Sequence, residues 1–369
     1  MPDFERLVRQ HLKKVDTYAS VDPTEELARS AGIRPEDVIR LNANENPYGP
    51  SETVKEAVAK AHLNIYPDPN QRKVRAALAA YTKQPEDRLV AGAGADELID
   101  LLMRLFLERG DRVIDAVPTF GMYGFCARIN DASVVSVERD ESFDLDLEAI
   151  RRAVDPRTKI IFVCSPNNPT GNSVTEAQAV ALLELGPVVV IDETYFEFAG
   201  TTLAHLVDRY ENLVILRTFS KWAGVAGLRV GYMIASPGLV RHIFDIKPPY
   251  NINVAAEAAV LASLANPAPL LKNVRTLVAQ RKRLEAELKH IQGIRYWPSD
   301  GNYLLCEFGR EGKKVYEALG RRGIFVRHFS HPRLRRALRI SAGTPEQTDR
   351  VIEAIKDESF ELTGGRKTR

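Results

Sequence analysis

Cysteine is scarce in this chain: 3 of 369 residues, Cys126, Cys164 and Cys306, far apart and with no Cys-x-x-Cys pair. An odd, dispersed set excludes a disulfide framework and argues for a reducing compartment, so the expected location is cytoplasmic. Cys164 closes an apolar run and reads as a small buried residue rather than a reactive thiol. An excess of one charge is also lacking. The 51 basic and 49 acidic residues leave a formal net charge of +2, so no nucleic-acid or membrane partner is expected. The one basic concentration is Arg333-Leu334-Arg335-Arg336-Ala337-Leu338-Arg339. Within it Arg333, Arg335 and Arg336 read as a solvated face. No run approaches the ~20 apolar residues of a membrane span. Met1 to Arg6 is charged early, unlike a signal peptide. Repeats and low-complexity tracts are absent. His328 and His331 have no cysteine or carboxylate cluster beside them to complete a metal site, and none is expected.

What is present is apolar content of 44% in alternating segments. Residues 88–91, 111–117, 133–137, 159–164, 188–191, 212–216 and 229–235 read as seven strands. Ile160-Ile161-Phe162-Val163 and Val188-Val189-Val190-Ile191 are continuous apolar runs, as in a mostly parallel sheet covered by helices on both faces. Residues 96–108 read as a helix, and Thr175 with Gln178 makes a capping box before another. The class is α/β, with a large domain over 46–255 and a smaller α+β domain over 256–369. In the latter, a long helical stretch (255–290, interrupted near Pro267) precedes strands at 302–306, 324–327 and 338–341, and Thr344-Pro345 starts a helix. Residues 1–45 form an arm that joins the small domain. Asp22 is expected to cap a helix whose first residue is Pro23. The tail, residues 364–369, is expected to be disordered.

Three strand ends carry chemistry. The run 212–216 leads into Thr218-Phe219-Ser220-Lys221-Trp222-Ala223-Gly224, with Arg229 eight residues past the lysine. That order suits a lysine forming an imine with an aldehyde that bears a phosphate. The hydroxyls and the arginine hold the phosphate, and the glycines admit the backbone. Strand ends are where α/β sites are built. Ser165-Pro166-Asn167-Asn168-Pro169-Thr170-Gly171 follows the second apolar run. Its prolines fix a loop that aims Asn168 toward a phenolate-type oxygen, or form a plain turn. Asp192 ends the third run, where a carboxylate is costly unless paired. A protonated ring nitrogen is a suitable partner, and a helix cap is the alternative. Tyr195 can reach the same oxygen as Asn168. Gly92-Ala93-Gly94-Ala95-Asp96-Glu97 opens a helix and can offer N–H groups to one phosphate. Glu97 stands where a dinucleotide fingerprint needs its third glycine. An amide, an acid and an amine at successive strand ends are what pyridoxal 5'-phosphate requires.

These motifs resemble the fold type I pyridoxal-phosphate-dependent transferases, and within them the histidinol-phosphate aminotransferases. The resemblance also rests on Leu41 to Pro50, Tyr66-Pro67-Asp68, Pro118 to Tyr123, Gly301-Asn302-Tyr303 and Leu338-Arg339-Ile340-Ser341. It implies conversion of histidinol phosphate and 2-oxoglutarate to imidazole acetol phosphate and glutamate. The same scaffold also serves aromatic amino-acid aminotransferases and threonine-phosphate-type decarboxylases. Lys221 would carry the cofactor and shuttle a proton. Asp192 would pair with the ring nitrogen, Asn168 and Tyr195 with the ring oxygen, and Tyr123 would stack on the ring. Ala95, Asp96, Thr218, Ser220 and Arg229 would hold the phosphate. Tyr66 would reach the cofactor of a second subunit, which implies a homodimer with shared sites. Arg339 would bind the α-carboxylate and Arg327 the substrate phosphate, with Tyr18 and Asn44 beside the substrate. After the lysine this chain departs from the family's order, a small residue then an aromatic, by placing Trp222 before Ala223. The indole is expected to pack into the domain core.

Overall fold

The computed structural model describes residues 4–309 and 312–362. The tail at 364–369, expected to be disordered, lies outside them. Twelve strands are present among the described residues: β1 Ile39–Leu41, β2 Leu89–Gly92, β3 Arg112–Val117, β4 Ser133–Glu138, β5 Thr158–Cys164, β6 Val188–Asp192, β7 Leu213–Thr218, β8 Gly231–Ala235, β9 Arg295–Trp297, β10 Tyr303–Glu307, β11 Ile324–His328 and β12 Ala337–Ser341.

Seven of them form one sheet in the order β2-β8-β7-β6-β5-β3-β4. Strands β4, β3, β5, β6 and β7 run parallel, and only β8 is reversed against its neighbours β7 and β2. The valine and isoleucine runs of β5 and β6 occupy the middle of the sheet, where both faces are buried. Ile160, Ile161, Phe162, Val189, Val190 and Ile191 are all fully shielded. Alternate residues of each strand feed two apolar clusters. Ile161 and Ile191 face one, and Phe162 and Val190 face the other. The expected class, a mostly parallel seven-stranded sheet between helices, is the observed one.

The second sheet runs β1-β11-β12-β10-β9. Strands β1 and β9 have three residues each, too few to show a period-2 pattern, and the sequence reading missed them. Strand β1 pairs parallel with β11, so the arm is hydrogen-bonded into this sheet. The helices Val254–Ala265 and Ala268–Leu288 meet at 82° around Asn266-Pro267. Among the described residues no single helix is long and apolar enough to cross a membrane. Local capping followed the sequence at Thr175/Gln178, where the box forms in both directions, and at Thr344, which exchanges bonds with Gln347. It failed at Asp22. The helix there begins at Thr24 with Pro23 in the cap position and no side-chain cap bond.

Two further corrections concern side chains. Arg333 is not on a solvated face. Its guanidinium donates to the carbonyls of Arg139 and Asp140 and lies 4.5 Å over the Phe143 ring. It therefore joins the small sheet's outer loop to the end of β4. Arg335 and Arg336 remain exposed. Trp222 is fully buried, as expected, and stacks on Tyr81 with ring centroids 5.6 Å apart.

Candidate active site

Gly231 pairs with both Gly92 and Thr218, so β2, β5, β6 and β7 end on one sheet edge where β8 begins. Polar residues that follow apolar strands are thereby gathered at that edge.

Lys221 lies three residues past β7, and its ammonium donates to the Ala43 carbonyl at 3.0 Å. Burial pulls its pKa down to about 8, Arg339 and Arg229 pull the same way, and Glu45 opposes. Asp192 ends β6 with 3% exposure. Its Oδ2 accepts the Tyr123 hydroxyl at 2.6 Å and its Oδ1 the Thr194 N–H at 3.0 Å. Burial holds this carboxyl above its usual range, and these two donors oppose the shift. The helix that follows, Phe196–Ala199, has Tyr195 in its cap position and no side-chain cap bond, so Asp192 is a buried acid and not a helix cap.

The other groups converge through the arm. Arg339, on β12, donates from one terminal nitrogen to Asn168 Oδ1 and from the other to the Asn42 carbonyl, each at 2.6 Å. Its Nε is buried without a partner. Asn44 donates to the Tyr195 hydroxyl at 2.9 Å and exchanges bonds with Ser341. Asn302 holds the Asn44 carbonyl. Asn44 takes φ +53°, the left-handed region that asparagine tolerates better than most residues. The segment Asn42–Asn44 therefore touches Arg339, Lys221 and Tyr195 in succession. Asn168 is aimed by its neighbour Asn167, whose side chain bonds Thr119, Pro118, Thr170 and Arg139 and whose carbonyl accepts from Tyr303.

Ala95 and Asp96 open the helix Ala95–Phe106, whose N-terminus has no side-chain cap. Arg229 sits beside it, bonded to Asp96 Oδ2 at 2.9 Å and to Ser220 Oγ at 3.4 Å. Ser220 in turn accepts from Thr218 at 2.9 Å. Gly94 has φ +81°, and a Cβ there would stand 2.7 Å from the guanidinium. Free N–H groups at a helix start, hydroxyls and a guanidinium make an anion cradle. Tyr18 meets Phe120 edge-on at 6.2 Å, and Arg327 holds the neighbouring Ala19 and Ser20 carbonyls.

Two expected positions fall elsewhere. Tyr123 does not offer a face for stacking. It is fully buried, its ring lies 4.7 Å from Phe162, and its hydroxyl stands behind Asp192. The helix Met122–Ile129 turns it inward, while Phe120, just before that helix, stays half-buried between Tyr18 and Tyr123. Tyr66 is 77% exposed, stacked on Tyr250, and meets none of the other site residues within this chain. Sequence reasoning also missed Asn42, Asn302 and Tyr303 as individual contacts. Their signal was present only as polar residues inside quoted motifs.

The donor set fits a phosphorylated aldehyde whose ring bears a basic nitrogen. It has an uncapped helix start beside an arginine, an amine of lowered basicity and a buried carboxylate. Fold and site together define an α/β enzyme of the kind that handles amino groups through such a cofactor. Residues 36–355 match the family described as aminotransferase class I and II, and the chain belongs to it. It is 43% identical over 362 residues to a histidinol-phosphate aminotransferase of Roseiflexus castenholzii, covering 95% of this chain and 98% of that protein. It is 42% identical over 358 residues to chloroplastic histidinol-phosphate aminotransferase 1 of Arabidopsis thaliana, covering 95% and 86%. The crystal structure of histidinol-phosphate aminotransferase from Sinorhizobium meliloti in complex with pyridoxal-5'-phosphate superposes with a TM-score of 0.86. It is 24% identical and covers 93% of this chain and 96% of that one.

Proposed function

We propose that this chain is a pyridoxal-phosphate-dependent histidinol-phosphate aminotransferase, moving the amino group of histidinol phosphate to 2-oxoglutarate. The observation that carries the reading is the near full-length identity to enzymes of that name. The site geometry is consistent with it. Bound at this edge, pyridoxal phosphate supplies an electron sink for the carbanion that amino transfer requires.

The protein's own groups do the rest. Lys221, with a pKa of about 8, is partly neutral near neutral pH, so it serves as nucleophile and then as proton carrier. Asn168 has its oxygen taken by Arg339, which leaves the amide N–H groups for a ring oxygen. Tyr195 accepts from Asn44, which leaves its own proton to donate to the same oxygen. Asp192 keeps a ring nitrogen protonated. Arg339 binds the carboxylate of glutamate and 2-oxoglutarate as a fork. Arg327, nearer the arm, takes the phosphate of the other substrate, with Tyr18 and Asn44 beside it.

The chain acts as a homodimer in the cytoplasm. Leu63, Ile65, Tyr66 and Tyr250 are exposed apolar side chains, the two tyrosines stacked on each other, and a second subunit that covers them would let Tyr66 reach across. The three free cysteines are all buried, which suits a reducing compartment. An assay of glutamate formed from histidinol phosphate and 2-oxoglutarate tests the activity. No glutamate, from protein that has taken up pyridoxal phosphate, overturns it. Sedimentation of wild type against Tyr66→Asp tests the subunit contact.

A further inference from the structure

Lys247 follows the helix Pro237–Ile246 directly and is 6% exposed. Among the described residues no carboxylate makes an ion pair with its ammonium, and Glu97 and Asp68 act on it only from further away. It donates to the carbonyls of Pro69 at 3.0 Å, Pro249 at 3.1 Å and Pro248 at 3.3 Å, and to Asn251 Oδ1 at 3.3 Å. The Phe244 ring lies 5.1 Å away on another side. Four neutral oxygens around one positive centre, three of them proline carbonyls on stiff loops, are the ligand set of a weakly held monovalent cation. Here the cation is tethered to the chain, and it sits at a helix C-terminus, where the dipole favours positive charge.

The cage is connected to the anion cradle. Asn251 Oδ1 also accepts from Gln71, and Asn251 Nδ2 donates to the Ala91 carbonyl at 3.0 Å and to Glu97 Oε2 at 2.8 Å. Gln71 bonds both the N–H and the carbonyl of Ala91, at 2.8 and 2.9 Å. Its amide thus stands in for the missing neighbour of edge strand β2. Glu97 accepts the Ala93 N–H at 2.6 Å. This explains the glutamate at the position where a dinucleotide fingerprint has glycine. The turn from β2 into the helix at Ala95 is therefore held from behind by Gln71, Asn251 and Glu97. Lys247 gathers the two loops that carry the first two of these. The same loops carry Tyr66 and Tyr250.

We propose that Lys247 is a positioning residue, an internal tethered cation whose carbonyl cage sets the 91–97 turn that holds the cofactor phosphate. The proposal rests on the reading of that turn as the phosphate site. Lys247→Ala empties the cage and leaves room for a small ion. Lys247→Met removes the charge and keeps the stem in place. In cofactor-free protein, amide hydrogen exchange at Ala91 and Ala93 quickens in both variants by about tenfold or more, the loss of one hydrogen bond's worth of local protection. Added ammonium, methylammonium or potassium restores slow exchange in Lys247→Ala only, and tetramethylammonium does not. The dissociation constant for pyridoxal phosphate follows the same pattern.

Unchanged exchange at Ala91 and Ala93 in Lys247→Met overturns the proposal, as does quickening in Lys247→Ala that no small cation reverses. If Lys247→Ala folds only when ammonium is present, the cage is upheld. If it does not fold in any salt, Lys247→Met decides the matter by the same exchange reading. Should wild type bind no pyridoxal phosphate, the proposed function falls, while the exchange measurement still decides the role of Lys247.

Discussion

Replacing Tyr123 by phenylalanine separates two roles for that ring. The variant keeps the aromatic face and the contact with Phe162, and loses only the hydroxyl 2.6 Å from Asp192 Oδ2. If Tyr123 stacked on a cofactor, the change would be nearly silent. The geometry predicts otherwise. Asp192 is fully buried, and the protein groups that donate to its carboxylate come from Tyr123 and Thr194, so the variant leaves it with Thr194 alone. A hydrogen bond to a charged group contributes ~1.5–3 kcal/mol, and a buried oxygen left without a donor incurs a cost of that size. Burial already raises the Asp192 pKa, and the hydrogen bond from Tyr123 works against that rise. Its loss raises the folded value further. For an acid raised in the folded state, the unfolded chain binds fewer protons between the two pKa values, so stability falls as pH rises through that interval. The destabilisation is therefore larger near neutral pH than in acid, where the group is protonated in both states. A less anionic Asp192 holds a ring nitrogen protonated less well, and kcat/KM falls about 10- to 100-fold. Denaturant melts of cofactor-free protein at neutral and acidic pH, with steady-state rates, check both parts. Wild-type stability and rate in Tyr123→Phe would refute the positioning role and restore the stacking one.

Two further perturbations follow from buried charge. The amine of Lys221 in cofactor-free protein should gain reactivity toward pyridoxal phosphate as pH rises through about 8. Arg339→Gln removes the largest charge acting on that amine and moves the inflection upward; stopped-flow absorbance over pH reads it, and an unmoved inflection contradicts the assignment. Glu193 and Arg217 form a buried pair, with Arg217 nitrogens 2.8 and 3.0 Å from one carboxylate oxygen. Glu193→Ala leaves a shielded guanidinium without its counter-ion and should destabilise by ~3–5 kcal/mol in urea melts. A loss under about 1 kcal/mol would place that charge in solvent.

How much of the site was legible depended on whether its chemistry was local. Lys221 was read from the hydroxyls, glycines and arginine around it, Asn168 from the loop its prolines fix, and Asp192 as a carboxylate just past an apolar run, a cost that only a partner explains. Ala95 and Asp96 were found because glycines preceded a helix. Tyr123 was misplaced because a motif supplies spacing but not the rotation of the helix that carries it. Arg333 was read as solvated because nothing near it in the chain hints at carbonyls some 190 residues away. Strands β1 and β9 were too short to show a pattern.

The order of residues alone determined the α/β class, the middle strands and the polar groups at their ends. Those follow from apolar periodicity and from the free energy of burying a charge, which act within a few residues. Only the tertiary structure decided which groups meet. The arm crosses the sheet edge so that Asn42, Ala43 and Asn44 touch Arg339, Lys221 and Tyr195, and Lys247 finds its oxygens on loops far apart in the chain. Such contacts depend on how loops close in space, and a buried donor takes whichever acceptor the packing brings to it.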